Sequence, residues 1–241
     1  MNLGIVIPCF NESNRLVESV FKNFLKKKQK TSICFVNDGS TDKTFFLLKK
    51  FHLNHPSRIH VINLKENRGK ANAVKKGMIF FFKQKKYKKI AFLDADLSTS
   101  LDECYELSKK INSKTKFVFA SRVKKLDNNI KRYWYRFIVG RILATFISSM
   151  LNLSIYDTQC GCKIFKSELT PVAFNKPFLS QWLFDVEIFY RLKNHFGTSN
   201  LIDFSNESPL KSWIDTGDSK IKLSYAFWVW LDLIKIYKFY R

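Results

Sequence analysis

The chain opens on a short apolar run at residues 3–9, the length of one buried strand. Apolar side chains then recur at Leu16, Val17, Val20, Phe21, Phe24 and Leu25 with helical spacing. The alternation repeats. Strands are predicted over residues 3–9, 32–36, 59–64, 89–94 and 117–120. Helices are predicted over 14–25, over the segment bearing Phe45, Phe46, Leu48 and Phe51, over 69–82, and after residue 100. Ser40-Thr41-Asp42 can cap the second helix, and Ser100-Leu101-Asp102-Glu103 has the spacing of a capping box ahead of the fourth. Strands alternating with helices imply the α/β class, a mostly parallel central sheet flanked by helices. Such sheets bind ligands at the carboxyl ends of their strands. Three polar clusters fall on that edge: Pro8-Cys9-Phe10-Asn11-Glu12, Asn37-Asp38-Gly39-Ser40 and Asp94-Ala95-Asp96.

After about Val123 the rhythm changes. Residues 131–151 read as a long amphipathic helix carrying Arg132, Tyr133, Trp134, Tyr135, Arg136 and Arg141. A polar segment follows at 157–163, then a helix near 181–196, a strand near 200–204 and an aromatic-rich helix over 219–240. Neither an internal repeat nor a Gly/Ser linker is present. The expectation is one domain over residues 1–241, with an α/β half at 1–122 and a C-terminal helical elaboration at 123–241 packed on the sheet.

Composition adjusts this picture. At 241 residues and 46% hydrophobic content the chain can bury a sizeable core. Its 42 Lys+Arg against 20 Asp+Glu give a formal charge of +22, which suits anionic partners. A Lys-rich solvated surface explains single runs such as Lys26-Lys27-Lys28 equally well. The five cysteines are odd in number, and Cys9 and Cys34 lie in strand-like runs, so a disulfide framework is not expected and a reducing compartment is. Cys160-Gly161-Cys162 lacks a second pair, and His52 and His55 lack a thiol, which argues against structural zinc. No signal peptide is expected ahead of the first strand. The longest apolar stretch, 137–151, is interrupted by Arg141 and Ser148-Ser149 and falls short of the roughly 20 residues of a membrane span.

Asp94 and Asp96 close a strand whose last four residues are apolar. Two buried acids without a partner are costly, and two hard oxygen donors beside a diphosphate suit Mg²⁺ or Mn²⁺. Turn and cap chemistry accounts for Gly39, Ser40 and Thr41 but not Asp38, whose carboxylate can accept hydrogen bonds from a base or ribose. Asn67-Arg68-Gly69-Lys70 opens a helix with two cations, as a diphosphate neighbour would, and equally as a basic surface helix would. The glycine-rich loops of dinucleotide-binding proteins and P-loop NTPases are missing.

In this order, Ile7-Pro8-Cys9-Phe10-Asn11-Glu12, Val36-Asn37-Asp38-Gly39-Ser40-Thr41-Asp42, Asn67-Arg68-Gly69-Lys70 and Asp94-Ala95-Asp96 resemble the signature of family 2 glycosyltransferases with the GT-A fold. Ser121-Arg122, Asp157-Thr158-Gln159-Cys160-Gly161-Cys162-Lys163 and Trp182-Leu183-Phe184-Asp185-Val186-Glu187 resemble the polyprenyl-phosphate sugar synthases within it, nearest the dolichyl-phosphate glucosyl and then mannosyl subgroups. The resemblance implies that Pro8, Phe10, Glu12, Asn37 and Asp38 hold the nucleoside, and that Lys70, Asp94, Ala95 and Asp96 meet the diphosphate and metal. It implies that Arg122, supported by Arg132 or Arg136, contacts acceptor phosphate. Asp157, Gln159, Asp185 and Glu187 would line a sugar pocket. Trp213-Ile214-Asp215-Thr216-Gly217-Asp218-Ser219-Lys220 would close over the donor, with Lys220 near phosphate. Three departures leave donor identity more open than fold. Asn37 replaces an acid, Ser98 stands where the mannose synthases carry a metal-coordinating Gln, and Cys162 replaces an aromatic.

The implied reaction is a single inverting displacement, with UDP-glucose as donor by subgroup and GDP-mannose as the alternative. A lipid phosphate acceptor is already ionised and needs cations to position it. A hydroxyl acceptor needs a base, Asp157 or Asp185. The basic, aromatic helix at 131–151 suits an anionic membrane surface, which would make the protein peripheral on a cytoplasmic face. Packing of that helix against the sheet is the rival reading. A nucleic-acid partner is disfavoured, because no binding module is recognisable and the acidic strand ends would repel phosphate. A nucleotidyltransferase would want a glycine-rich loop that residues 8–15 do not supply.

Overall fold

The computed structural model describes residues 2–214 and 225–241. The elements run β1 (Asn2–Cys9), α1 (Glu18–Lys27), β2 (Thr31–Asp38), α2 (Thr44–Asn54), β3 (Ile59–Leu64), α3 (Lys70–Lys83), β4 (Tyr87–Leu93), α4 (Leu101–Ser108) and β5 (Phe117–Ser121). They continue with β6 (Asn129–Lys131), α5 (Trp134–Leu151), β7 (Cys162–Lys166), α6 (Thr170–Phe174), α7 (Phe184–Phe196), α8 (Thr198–Phe204), β8 (Ser205–Pro209), β9 (Ser212–Ile214) and α9 (Tyr225–Tyr240). Seven strands form one sheet in the order β3-β2-β1-β4-β7-β5-β8, and β6 pairs with β9 in a second, two-stranded sheet. The main sheet is parallel except that β7 runs antiparallel between β4 and β5. The expected α/β class and mostly parallel sheet are found. The second half of the chain does more than pack on that sheet, since it supplies β7 and β8 to it.

The central strands are buried on both faces, which is why they read as unbroken apolar runs. One core layer packs Phe21, Phe24, Leu48 and Phe51 of α1 and α2 on Ile5, Ile33 and Phe35. The other packs α3, α6 and α7 on the opposite face through a lattice of Phe92, Phe117, Phe165, Phe174, Phe184 and Phe189. Phe117 and Phe165 stack with centroids 4.7 Å apart. Helix α3 lies so close to β1 that a Cβ at Gly77 would collide with Val6. All five cysteines are buried free thiols.

Three expectations are corrected. Helix α1 begins at Glu18, and buried Leu16 belongs to the preceding turn, whose amide bonds back to the Glu12 carbonyl. The Ser40-Thr41-Asp42 segment does lead into α2 as expected, with Asp42 Oδ1 accepting the Thr44 N–H at 2.9 Å. Residues 200–204 are helical, because Leu201 and Phe204 are the buried positions and lie three apart on one helix face. The segment at 157–163 runs into a strand, β7, masked in the sequence by a buried lysine.

Candidate active site

The strand order turns at β1, which pairs with β2 on one side and β4 on the other. The crevice beyond the carboxyl ends of β1 and β4 is therefore the topological switch point where ligands bind in open α/β sheets. The loops beyond β1 and β2 are laced together. Asn11, at φ +52°, accepts the Thr41 N–H at 2.9 Å through Oδ1, and Ser40 Oγ accepts the Asn11 N–H at 3.0 Å. Thr44 Oγ1 accepts the Glu12 N–H at 2.8 Å, and Asp42 Oδ2 accepts that of Ser13 at 3.2 Å. Phe10, Glu12, Asn37 and Asp38 thus hang from one braced rim. Pro8, paired in register with Val36, sits one step deeper in the sheet.

Asp38 is nearly buried and accepts the Arg68 N–H at 3.0 Å. Burial pushes its carboxyl up, against the pull of the Arg68 and Gly69 amides. Asn37 donates from Nδ2 to Asn63 Oδ1 at 2.6 Å.

Asp94 and Asp96 follow β4 with buried Ala95 between them. Leu97, at φ +51°, closes a turn in which Asp96 Oδ1 accepts the Ser98 N–H at 3.0 Å. Asp94 Oδ1 lies 2.5 Å from Lys70 Nζ at the start of α3. Burial alone would lower the Lys70 ammonium, but Asp94 and Asp185 outweigh it and hold it above its ordinary value. Gly161 makes room for this arrangement, because a Cβ there would collide with the Asp94 carboxylate. Among the described residues no group of three His, Cys, Asp or Glu side chains is poised as a metal site. Two carboxylates are nevertheless a fitting donor set for Mg²⁺ or Mn²⁺, which are commonly held by one or two carboxylates plus substrate phosphates.

The cleft beside them is lined by Asp94, Asp96, Ser98, Thr99, Arg122, Gln159, Gly161 and Trp213. Arg122 leaves the end of β5 and grips Asp157 twice, Nε to Oδ2 at 2.7 Å and Nη2 to Oδ1 at 2.9 Å. Its guanidinium lies 5.3 Å from the Trp213 ring centroid. Burial opposes the charge on Asp157, but Arg122 wins and holds the carboxyl well below the usual range. Glu207 of β8, which the sequence reading did not single out, fixes the segment by accepting the Tyr156 and Asp157 amides at 2.9 and 2.8 Å.

Asp185 opens α7 and lies 2.7 Å from the ammonium of Lys163, a fully buried side chain that also donates to the Cys160 carbonyl at 2.7 Å. Burial pushes the Asp185 carboxyl up, against Lys163 and Lys70. Lys163 falls within a motif whose resemblance implies no role for it. A lysine inside an apolar run opposite an acid at a helix start is the signal that could have found it.

Several expected site residues sit elsewhere. Glu187 is not among the residues that line this cleft. It is fully buried, and its carboxylate accepts the Leu179 and Ser180 amides at 2.9 Å and the Tyr240 hydroxyl at 3.0 Å. Asp157 stands behind Arg122, with its oxygens taken. Arg136 lies over the rings of Tyr133 and Tyr135, and Arg132 packs against Gly140 of α5, so both flank the helix instead of the cleft. Lys220 lies outside the described residues.

Helix α5 packs into the core through its C-terminal half, where Ile147 and Leu151 are its fully buried residues and Leu143 and Met150 pack against the same cluster. Trp134 is 75% exposed and Val139 63%, with Phe137, Ile138, Ile142 and Phe146 also exposed. Helix α9 extends this surface with Trp228, Trp230, Leu231, Ile234 and Phe239, and Phe146 meets Trp230 edge to face at 5.2 Å. Among the described residues no helix is long and apolar enough to cross a membrane.

Residues 4–171 match the family profile described as Glycosyl transferase family 2. The chain is 30% identical over 251 residues to a dolichyl-phosphate beta-glucosyltransferase of Trichomonas vaginalis, covering 98% of this chain and 71% of that protein. It is 27% identical over 255 residues to the dolichyl-phosphate beta-glucosyltransferase of Homo sapiens, covering 99% and 74%. In fold it is similar to glucosyl-3-phosphoglycerate synthase from Mycobacterium tuberculosis in complex with Mn²⁺, uridine diphosphate and phosphoglyceric acid, with TM-score 0.69, 13% identity and coverage of 98% and 78%. It is likewise similar to mannosyl-3-phosphoglycerate synthase from Rubrobacter xylanophilus, with TM-score 0.69, 14% identity and coverage of 98% and 72%. At those identities the two structures speak to the fold alone.

Proposed function

Because the chain belongs to glycosyltransferase family 2 and has its GT-A fold, we propose that it transfers glucose from UDP-glucose to dolichyl or another polyprenyl phosphate at a membrane surface. The observation that carries this reading is the engagement of both candidate bases. Asp157 is clamped by Arg122, and Asp185 is paired with Lys163. A hydroxyl acceptor would need one of them to take its proton, whereas a phosphate arrives ionised and needs only positioning. Arg122 can provide that. Its grip on Asp157 uses two of the five N–H donors of a guanidinium, and Asp157 and Trp213 hold the plane of the group fixed. The relatives named above support the glucosyl and dolichyl-phosphate assignments.

In this reading the braced rim of Phe10, Glu12, Asn37 and Asp38 holds the nucleoside. Lys70 and the α3 N-terminus meet the diphosphate, and Gln159 faces the sugar. When bound at Asp94 and Asp96, Mg²⁺ or Mn²⁺ supplies charge neutralisation for the departing nucleoside diphosphate. Arg122 holds the acceptor oxygen on the opposite face of the anomeric carbon, so that displacement inverts it. The whole chain acts as one domain, nucleotide-binding in residues 1–122 and acceptor-binding in 123–241. The exposed apolar side chains of α5 and α9, with the basic Arg132, Arg136, Lys235 and Lys238 on or beside the same helices, rest on the cytoplasmic face of an anionic membrane and bring the cleft to the lipid phosphate.

A panel of nucleotide-sugars, offered with Mn²⁺ and vesicles with or without polyprenyl phosphate, tests the proposal. Nucleoside diphosphate release that depends on the lipid and is fastest with UDP-glucose is expected. Release from no donor in the panel would overturn it.

A further inference from the structure

Three ion pairs crowd the site, placing Lys70, Arg122 and Lys163 against Asp94, Asp157 and Asp185, with Asp96 as a further carboxylate. They differ in accessibility. The Lys163 and Asp185 side chains are 0% and 4% exposed, and those of Arg122 and Asp157 are 16% and 9%. The Lys70 and Asp94 side chains are 24% and 36% exposed, and Asp94 lines the cleft. This third pair is the one placed to exchange partners with an incoming ion.

We propose that Lys70 is the resident counter-ion of Asp94 and releases it only to a divalent cation that arrives with a nucleoside diphosphate, so that metal and nucleotide bind as a coupled pair. The inference rests on the reading that Asp94 and Asp96 hold the metal, and it adds what controls their availability. A divalent ion that takes Asp94 Oδ1 must displace the ammonium that lies 2.5 Å from it. It would leave Lys70 beside a dication and beside the positive end of α3, with Asp185, already paired with Lys163, as its remaining acidic neighbour outside the metal's own pair. Two carboxylates are also few donors for an ion without substrate phosphates, and no third His, Cys, Asp or Glu joins them among the described residues. A diphosphate removes both obstacles. It gives the ammonium and the helix N-terminus an anionic partner, and it adds oxygen donors where Asp94 has been freed. The coupling is reciprocal, so the metal must strengthen nucleotide binding by the same factor. Lys70 is in this sense a positioning residue for the metal as well as a contact for the nucleotide.

The experiment is a Mn²⁺ titration read by loss of the hydrated ion's EPR signal, with and without UDP and with the protein-free Mn²⁺–UDP titration subtracted, on wild type, Lys70→Met and Lys70→Gln, each checked for an unchanged melting transition. Wild type should bind Mn²⁺ at least roughly tenfold (about 1.4 kcal/mol) more tightly when UDP is present. Both variants should bind Mn²⁺ alone more tightly than wild type, by roughly tenfold, and UDP should improve them by less than about threefold. Two variants guard against one failing to fold. Wild type binding Mn²⁺ equally well with and without UDP would overturn the proposal, as would folded variants that bind Mn²⁺ alone no better than wild type. Both outcomes leave the metal assignment standing. Wild type that binds no Mn²⁺ even with UDP would overturn the metal assignment together with the coupling.

Discussion

Arg122 and Asp157 face each other in a bidentate pair, with Nε–Oδ2 and Nη2–Oδ1 distances of 2.7 and 2.9 Å, and Asp157 Oδ2 also accepts Arg122's own amide N–H at 3.1 Å. The pair is nearly buried, so losing one partner strands a charge, at a cost of about 3 kcal/mol. The folded-state pKa of Asp157 is depressed. Its contribution is therefore complete above the unfolded value near pH 4 and is lost as pH falls through the lower folded value. Asp157→Asn should lower the melting temperature by a constant amount between pH 5 and 8, with the gap to wild type narrowing below about pH 4. Melting curves across that range check this. A gap that widens toward acid would contradict the pairing.

Gly161 leaves space that the Asp94 carboxylate occupies. Gly161→Ala must move Asp94, and a displacement on the order of 1 Å at a catalytic centre costs on the order of a hundredfold in rate. The variant should fold, lose at least about that factor in kcat/KM and bind UDP with Mn²⁺ more weakly. Unchanged steady-state kinetics would show that the position of Asp94 does not matter to the reaction.

Exposed apolar side chains on α5 and α9 meet at the contact of Phe146 with Trp230. Withdrawing Trp134 and Val139 together, as the double substitution to Ser, should weaken flotation with phosphatidylserine-containing vesicles at least roughly tenfold, since burying one such side chain is worth about 1.5–3 kcal/mol. Thermal stability should change little, because both side chains face solvent in the free protein. Equal flotation of variant and wild type would remove the membrane from the account.

The first half of the fold was legible because its strands are buried on both faces and its helices on one, so hydrophobic spacing reports both. The cluster at Asp94 and Asp96 was legible for the same reason, since a strand end locates it. The second half hid its strands. Residues Ser205–Pro209 form β8 with a polar sequence, held by pairing with β5 rather than by apolar side chains. Residues Cys162–Lys166 form β7 around Lys163, whose burial depends on Asp185, an acid 22 positions further along the chain. No local pattern carries that pairing. The same distance effect misplaced Glu187, which resembles a site acid in its motif but faces Leu179, Ser180 and Tyr240 once the chain folds.

The most direct test of the central claim is transfer of labelled glucose from UDP-glucose to vesicle-borne dolichyl phosphate, with Mn²⁺, by wild type and by Asp96→Ala. Wild type should form a glucosylated lipid phosphate with one UDP released per glucose transferred. Asp96→Ala, with an unchanged melting temperature, should fall by about a thousandfold, a loss of roughly 4 kcal/mol in transition-state stabilisation. A wild-type protein that makes no glucolipid, or an Asp96→Ala variant that makes it at full rate, would contradict the account.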